Sequence, residues 1–278
     1  MANITAAAVK TLRERTGLPM MDCKKALIET NNDPDAAVDW LRKHGSQVME
    51  KRSGRETSFG RMGIYASSNP PVGAMVELKC ESAPVAGSEE FIQLANDLAQ
   101  QLAIGPGATN ANELLDQPSP NNPKSTLREQ KDDMFNRIRE VFNVGRIVRI
   151  DGPCGGYSHN AGTVHGVLLE VNGDADEQAA KDICMHIAAM RPKALKTDDL
   201  DPEIVAKERE ILRAAALEEG KPENIVDKMV EGRIRNFYAQ SVLSEQAFVK
   251  DDKRTVAQFA KDGNFGLVQF VHWELGSE

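Results

Sequence analysis

Cysteine and histidine are the side chains here with the most obvious chemical capacity, and five of them fall in one stretch of the chain. Cys154, His159, His165, Cys184 and His186 could be imagined as a zinc site. Zinc ligands usually come as closely spaced pairs, and residues two apart on a helix, as Cys184 and His186 would be, point in different directions. We therefore predict that these side chains are buried or lie in turns, with no metal and no cofactor.

Motifs for phosphate binding and covalent catalysis are missing from the sequence. The glycine-rich segment 152–162, GPCGGYSHNAG, has no Gly-Lys-Ser/Thr to cradle a phosphate. No Gly-x-Ser-x-Gly motif marks a serine nucleophile. The pattern argues against an enzyme and favours a binding protein built of several parts.

Charge and hydropathy narrow the class of partner. The 278 residues carry 34 Lys and Arg against 42 Asp and Glu, a formal net charge of −8, which disfavours nucleic acid as the main partner. No stretch approaches the about 20 apolar residues of a membrane span, and the start has no targeting pattern, so we expect a cytoplasmic protein with no membrane partner. The four cysteines are widely spaced, which predicts reduced thiols. A basic stretch from Lys43 to Arg61 reads as a solvated linker.

Helix punctuation divides the first 45 residues into three short helices, which predicts a domain at 1–45 followed by a basic linker at 46–61. Thr5 can cap the first helix, which stops before Gly17. Pro19 opens the second helix and Pro34 opens the third, which we expect to end at Gly45.

Met20 and Met21 stand out because they follow the turn between the first two helices. In a bundle this small, at least one of the pair should be exposed. Exposed methionine is a soft, adaptable contact surface. The pair is therefore a candidate binding site, with core filling as the alternative.

After residue 61 the pattern changes to strand, short loop and helix, and this order occurs twice. The duplication predicts an α+β fold with two related antiparallel sheets, each with a helix on one face. The predicted core subdomains are 62–143 and 144–278. Predicted elements are strands at 60–68, 72–80, 145–151 and 163–171, a turn-rich stretch at 155–162, helices at 90–102, 127–142 and 178–189, and a long connection at 105–123.

The segment 201–239 differs from the rest in having only a narrow apolar seam, which predicts an antiparallel helical hairpin standing off the body. A final strand is expected at 265–275. The hairpin could be a stabilising arm, a dimer contact or a handle for a partner. The seam would consist of Ile204, Ile211 and Ala215 facing Val226, Val230, Ile234 and Phe237.

Three sequence blocks resemble the translation elongation factor Ts family, in the family's order. They are LRERTGLPMMDCKKALIETNNDPDAAVDWLRKHG, MHIAAMRPKAL and GKPENIVDKMVEGRIRNFY. The resemblance implies a guanine-nucleotide exchange factor that binds elongation factor Tu carrying GDP and loosens the nucleotide and its Mg²⁺. It also implies a ubiquitin-associated-like three-helix domain, a core of two related α+β subdomains and a protruding helical hairpin.

Residue by residue, the resemblance implies two contact regions. Arg13, Met20 and Met21 resemble family residues that press on a helix of the partner's nucleotide-binding domain. His159, in Gly-Gly-Tyr-Ser-His, resembles a family histidine that contacts the partner from the second subdomain.

One segment departs from the family. Where family members usually have Thr-Asp-Phe-Val, with the phenylalanine acting as a wedge near the Mg²⁺ site, this chain has Ser82, Ala83, Pro84 and Val85. The carboxylate and the aromatic ring are both missing. Proline lacks an N–H but fixes φ, so this loop should be stiff.

These observations lead to one hypothesis and two alternatives. The hypothesis is that the protein is still an exchange factor, with an altered wedge and more of the work done by Arg13, Met20 and Met21. The first alternative is a chaperone-like scaffold that binds elongation factor Tu without exchanging nucleotide. The second, based on the three-helix domain and the basic linker, is a ubiquitin-type or RNA-associated binder. The oligomeric state stays open.

Overall fold

The computed structural model describes residues 4–52, 54–220 and 222–277, with only the backbone of Ser46. Lys221, in the predicted break of the hairpin, lies outside these residues. The chain divides into two compact units. The first contains the chain up to Gly63 together with Val76–Ile147, and the second contains Ile64–Met75 and the chain from Val148 onward.

Helices and antiparallel strands share the chain, as the predicted α+β class requires. The helices are α1 (Ala6–Thr16), α2 (Met20–Glu29), α3 (Pro34–Arg52), α4 (Ala83–Ala86), α5 (Glu89–Ile104), α6 (Ala111–Leu115), α7 (Leu127–Ile138), α8 (Glu177–Met190), α9 (Pro202–Glu218), α10 (Glu223–Ser241) and α11 (Val256–Asp262). The strands are β1 (Phe59–Ser68), β2 (Pro71–Cys80), β3 (Pro118–Ser119), β4 (Asn122–Thr126), β5 (Asn143–Ile150), β6 (Cys154–His159), β7 (His165–Gly173), β8 (Ala247–Phe248), β9 (Asp251–Thr255) and β10 (Phe265–Glu274). None of the helices in the described part of the chain is long and apolar enough to cross a membrane.

The first three helices form a small bundle around a shared apolar core. Thr5 accepts a hydrogen bond from the backbone N–H of Ala8 and caps α1, and Gly17 ends α1 in the left-handed conformation, as predicted. The core side chains are Val9, Leu12, Cys23, Ala26, Leu27, Ala37 and Leu41.

The predicted end of the third helix at Gly45 is wrong. Helix α3 continues to Arg52 and so takes up the first part of the predicted linker 46–61. A Cβ on Gly45 would lie 2.1 Å from Oδ1 of Asn136, so this glycine permits close packing against α7 instead of ending a helix. The boundaries at 45, 61 and 143 stay predictions.

Two three-stranded sheets repeat the same topology. Their strand orders are β1-β2-β5 and β6-β7-β10, and in each copy a helix follows the second strand. Gly63 of β1 and Gly155 of β6 occupy corresponding places, where a Cβ would lie 2.0 Å from the carbonyl oxygen of Ala95 in α5 and 2.7 Å from Cβ of Ala180 in α8. Both glycines therefore let the covering helix approach the sheet closely, and the two related subdomains of the prediction are confirmed.

The repeat extends into segments that the sequence pattern did not resolve. Each copy also contains a two-stranded hairpin leading directly into a helix: β3-β4-α7 and β8-β9-α11. Both helices begin with a capping box, formed by Thr126 with Glu129 and by Thr255 with Gln258. The prediction of a long connection at 105–123 is therefore wrong, because α6, β3 and the start of β4 lie within it.

Two other boundaries differ from the prediction. The turn-rich stretch at 155–162 is strand β6 as far as His159, because Gly155 and Gly156 face packed neighbours and do not form turns. Helix α7 ends at Ile138, before the predicted Phe142, since Arg139 adopts a left-handed conformation with φ of 66°.

Helices α9 and α10 form the predicted antiparallel hairpin, but one face of α9 was assigned wrongly. Ile204 and Ile211 are exposed, at 46% and 52%. Leu212 and Ala216 pack against α10 in their place. The predicted Val226, Val230 and Ile234 are buried on α10. Ion pairs across the hairpin join Arg209 to Glu231, Arg213 to Asp227, and Arg233 to Glu219.

The two ends of the hairpin are held side by side at its base. The N–H of Lys193 donates to the carbonyl of Ser241 at 2.7 Å, and the N–H of Leu243 donates to the carbonyl of Ala194 at 2.9 Å. Ala194 and Val242 form a parallel β-bridge. The hairpin is thus an insertion between α8 and β8 whose two ends are joined by backbone hydrogen bonds.

Candidate functional site: partner-binding surfaces

An apolar patch lies on the three-helix bundle, where α2 begins. Met20 and Met21 are 50% and 71% exposed, and Arg13 at the end of α1 is also exposed. The buried face of α2 is formed by other residues, so neither methionine fills the bundle core. Ile28, 53% exposed, extends the patch because it lies two turns after Met21 on the same face. Sequence reasoning missed Ile28, although its seven-residue spacing from Met21 was a usable signal.

The segment Ser82–Val85 forms a short turn that is held by hydrogen bonds. Ser82 is extended and precedes α4, with Ala83 and Pro84 exposed to solvent. The N–H of Ala86 donates to the carbonyl of Ser82 at 3.2 Å, and Oγ of Ser88 donates to the carbonyl of Val85 at 2.8 Å. Pro84 lies in the first helical turn, where its missing N–H has no cost. These hydrogen bonds are consistent with the predicted stiffness of the turn, which stays a prediction.

Glu140 and Cys80 hold the start of this turn through Ser82. Oγ of Ser82 donates to Oε1 of Glu140 at 2.6 Å, and Sγ of Cys80 donates to the carbonyl of Ser82 at 3.3 Å. Burial, with the charges of Glu140 and Glu81 adding to it, raises the pKa of the Cys80 thiol to about 11. This cysteine therefore stays protonated at neutral pH and serves as a hydrogen-bond donor.

His159 lies in the second unit, at the end of β6. It is half-buried, and its Nδ1 lies 3.1 Å from the hydroxyl of Tyr157. Across the strand pair it faces His165 of β7, with the two rings 6.4 Å apart. The other predicted site residues, Arg13, Met20, Met21 and Ser82–Val85, all belong to the first unit.

Behind His159 is a polar cluster that the sequence did not reveal. The Arg191 guanidinium lies 3.2 Å from Nε2 of His165 and 3.3 Å from the Glu274 carboxylate. Because arginine can only donate, Nε2 of His165 accepts, and its Nδ1 donates to Nε2 of His272 at 3.1 Å. Burial lowers the pKa of both His165 and His272, so both rings are neutral at pH 7. The residues of this cluster lie at the end of α8, on β7 and on β10, and no local sequence pattern links these three elements.

His186 has a structural role in the core of the second unit. It is fully buried on α8, and the N–H of Val249 donates to its Nδ1 at 3.2 Å. The ring proton is therefore on Nε2, which donates to Oε1 of Gln246 at 2.9 Å. Burial lowers the pKa of this imidazole, although the Gln246 hydrogen bond opposes the shift.

The five residues considered as zinc ligands do not come together as a metal site. Burial raises the pKa of Cys154 to about 12 and also raises that of Cys184, so both remain thiols. Among residues 4–52, 54–220 and 222–277, no group of three or more His, Cys, Asp and Glu side chains is arranged to hold a metal ion.

Comparison with known proteins gives consistent matches over the whole chain. A family model described as Elongation factor TS matches residues 81–277, and a UBA-like domain model matches residues 6–48. Elongation factor Ts of Nitratidesulfovibrio vulgaris (strain DP4) is 39% identical over 293 residues, covering 99% of this chain and 96% of that protein. Elongation factor Ts of Clostridium botulinum (strain Alaska E43 / Type E3) is 41% identical, covering 98% and 93%, and that of Methylococcus capsulatus is 41% identical, covering 99% and 92%. The predicted ubiquitin-associated-like fold of the bundle is thereby confirmed.

Proposed function

Because the chain belongs to the elongation factor Ts family, we propose that it binds elongation factor Tu in its GDP form and speeds release of the nucleotide and its Mg²⁺, so that GTP can enter. The chain performs no covalent step in this scheme; it acts only by binding. The proposed setting is the cytoplasm.

Exchange by binding requires a difference in affinity. A factor that bound the closed, GDP-loaded partner as tightly as the loosened state would shift no equilibrium. Every 1.4 kcal/mol of preference for the loosened state gives about a tenfold shift. The proposal therefore needs surfaces that fit the partner only when its nucleotide site has opened.

The observation that carries the proposal is the exposure of Met20, Met21 and Ile28 on α2. Apolar side chains that leave water on binding supply free energy, and flexible methionines adapt to a partner helix that moves. Arg13, exposed on α1 of the same bundle, adds a charged group suited to a helix C-terminus or a carboxylate. In the proposed mechanism this region presses on a helix of the partner's nucleotide-binding domain.

The turn at Ser82–Val85 supplies the second contact near the Mg²⁺ site. Ala83 and Pro84 offer less apolar area than a phenylalanine wedge, so this contact contributes less binding energy. The hydrogen bonds at both ends of the turn make it rigid, and a rigid loop loses little entropy on binding. We propose that it displaces partner groups by its shape, and that His159 contacts the partner from the second unit.

The experiment is release of a fluorescent GDP analogue from the cognate elongation factor Tu, followed by stopped flow over a range of concentrations of this protein. A large acceleration that saturates supports exchange. Complex formation without acceleration would instead establish the non-exchanging scaffold, which is favoured by the loss of both the carboxylate and the ring at Ala83 and Pro84.

An RNA-associated function has less support, because three arginines of the basic stretch make contacts within the protein. Arg52 donates to the carbonyl of Arg139, Arg55 pairs with Glu81, and Arg61 donates to the carbonyl of Ala86. The solvated linker at 46–61 stays a prediction, and Arg55 is still half exposed. Salt-sensitive retention on RNA would support the RNA alternative.

A further inference from the structure

Three consecutive residues after α7, Arg139–Val141, contact Asp22, the residue that follows the methionine pair, and Ser82, the first residue of the turn. We call residues 139–141 the bridge. Arg139 has φ of 66° and ψ of 22°, and its N–H donates to the carbonyl of Phe135 at 2.7 Å, which closes the helix. A left-handed conformation is unfavourable for arginine, so contacts of this residue must offset it.

On one side the bridge is held by the three-helix bundle. The Arg139 guanidinium forms an ion pair with Asp22 of α2, and the exposed fractions of the two side chains are only 22% and 28%. Nη1 of Arg52, at the end of α3, donates to the carbonyl of Arg139 at 2.6 Å. Asp22 directly follows Met20 and Met21, so the ion pair fixes the helical turn that carries the patch.

On the other side the bridge holds the turn at Ser82–Val85. Glu140 accepts the hydroxyl proton of Ser82 at 2.6 Å. The N–H of Val141 donates to Oε1 of Glu81 at 2.8 Å, and Oε2 of Glu81 accepts from Arg55 at 3.1 Å. Adjacent Cα atoms are about 3.8 Å apart, so the groups that hold the patch and those that hold the turn are one or two residues apart along a single short segment.

We propose that Arg139 is a positioning residue for exchange: through its ion pair with Asp22 it fixes the methionine patch relative to the Ser82–Val85 turn, so that both reach one partner molecule together. This inference rests on the proposed function. Two surfaces held at a fixed spacing bind as one, because the second contact forms without a further search. Loss of the ion pair removes one of the contacts that hold the bundle, beside the Arg52 hydrogen bond and the packing of Gly45 against α7, so we expect the spacing between the two surfaces to become less well defined.

Arg139→Asn is the direct variant, because asparagine tolerates the left-handed conformation but is too short to pair with Asp22 as arginine does. Asp22→Asn breaks the same pair from the other side and serves if the first variant folds poorly. The matched control is Arg128→Asn, also on α7, which removes an exposed ion pair with Asp116 far from the bridge in sequence. Exchange of the charges, Asp22→Arg with Arg139→Asp, tests for rescue.

The first readout needs no partner. Spin labels on Lys10→Cys in α1 and Glu89→Cys in α5 report the distance between the bundle and the helix after the turn, since both sites are exposed and the four native cysteines are buried. We expect a narrow distance distribution in the otherwise unchanged protein and in the control, a broad one in Arg139→Asn and Asp22→Asn, and a narrow one after rescue. A distribution that stays narrow in both single variants would overturn the proposal, whether or not the protein exchanges nucleotide.

The second readout is exchange itself. We expect Arg139→Asn to raise the half-saturating concentration 5- to 30-fold. When Met20→Ala and Met21→Ala are already present, the additional rise caused by Arg139→Asn should be smaller, because the contact that Arg139 positions has already been lost. Full multiplication of the two effects would show that Arg139 acts independently of the patch and would overturn the positioning role.

Discussion

Truncation of the methionine patch is the sharpest test of how the protein acts. Met20 and Met21 are 50% and 71% exposed in the free protein. Complete burial of a methionine side chain stabilises by roughly 1.5–3 kcal/mol. Scaled by these exposed fractions, Met20→Ala with Met21→Ala should weaken binding by about 1.8–3.6 kcal/mol, or roughly 20- to 400-fold.

Stability should hardly change in the same double variant, because neither side chain belongs to the core of the bundle. Substitutions at exposed positions usually stay within about 0.5 kcal/mol. The matched control is Ile104→Ala at the end of α5, which is also 50% exposed but lies outside the patch. It should leave binding unchanged.

The assay is stopped-flow release of the GDP analogue, titrated with each variant, together with thermal unfolding of the free proteins. The expected result is a large rise in the half-saturating concentration for the double variant and an unchanged melting temperature. Unchanged binding, or a melting temperature lowered by several degrees, would refute the assignment of these methionines to the partner surface.

Three further predictions concern other parts of the chain. Ala83→Asp with Pro84→Phe should raise the maximal exchange rate, measured by stopped flow, if the native turn is a weakened wedge. We expect an increase of less than tenfold because the turn is already rigid. An unchanged or lower maximal rate would show that the native turn is adapted to its partner. Burial lowers the pKa of His186 in the folded protein, so the unfolded chain takes up a proton at higher pH than the folded protein does. The contribution of His186 to the free energy of unfolding is therefore full above the unfolded pKa of about 6.5 and decreases below it, by up to about 1.4 kcal/mol per pH unit. Urea unfolding of His186→Gln should show a shallower pH dependence. In the hairpin, Val230→Ala should cost about 2 kcal/mol because its side chain is buried, whereas Ile211→Ala should cost less than about 0.5 kcal/mol, as denaturation of both variants would show.

Features of the fold that depend on local chemistry were predictable. Thr5 and Gly17 delimit α1 because capping and left-handed backbone are set within a few residues. The exposure of Met20 and Met21 followed from the small size of the bundle. The strands of both sheets were predictable from period-two alternation, but the central strands β2 and β7 are buried at most positions, including adjacent ones, which the alternation did not indicate.

Features that depend on distant neighbours were missed. In the sequence, Gly45 looks like a residue that ends a helix, and only the contact with Asn136 of α7 shows that it permits close packing. The buried face of α9 is displaced by one residue, since Ile211 and Leu212 are both apolar and only the contact with α10 selects Leu212. His272 joins the cluster behind His159 through pairing of the last strand, more than a hundred positions away along the chain.

The closed base of the hairpin makes this arm a separable module. Its two ends leave the body side by side, joined by backbone hydrogen bonds at Lys193, Ala194 and Leu243. The first copy of the repeat spans the corresponding gap with only a short connection containing α6. The hairpin could therefore be lengthened, shortened or replaced in evolution without a change in the strand order of the sheet. A different helical hairpin could be grafted at the same junction by protein engineering.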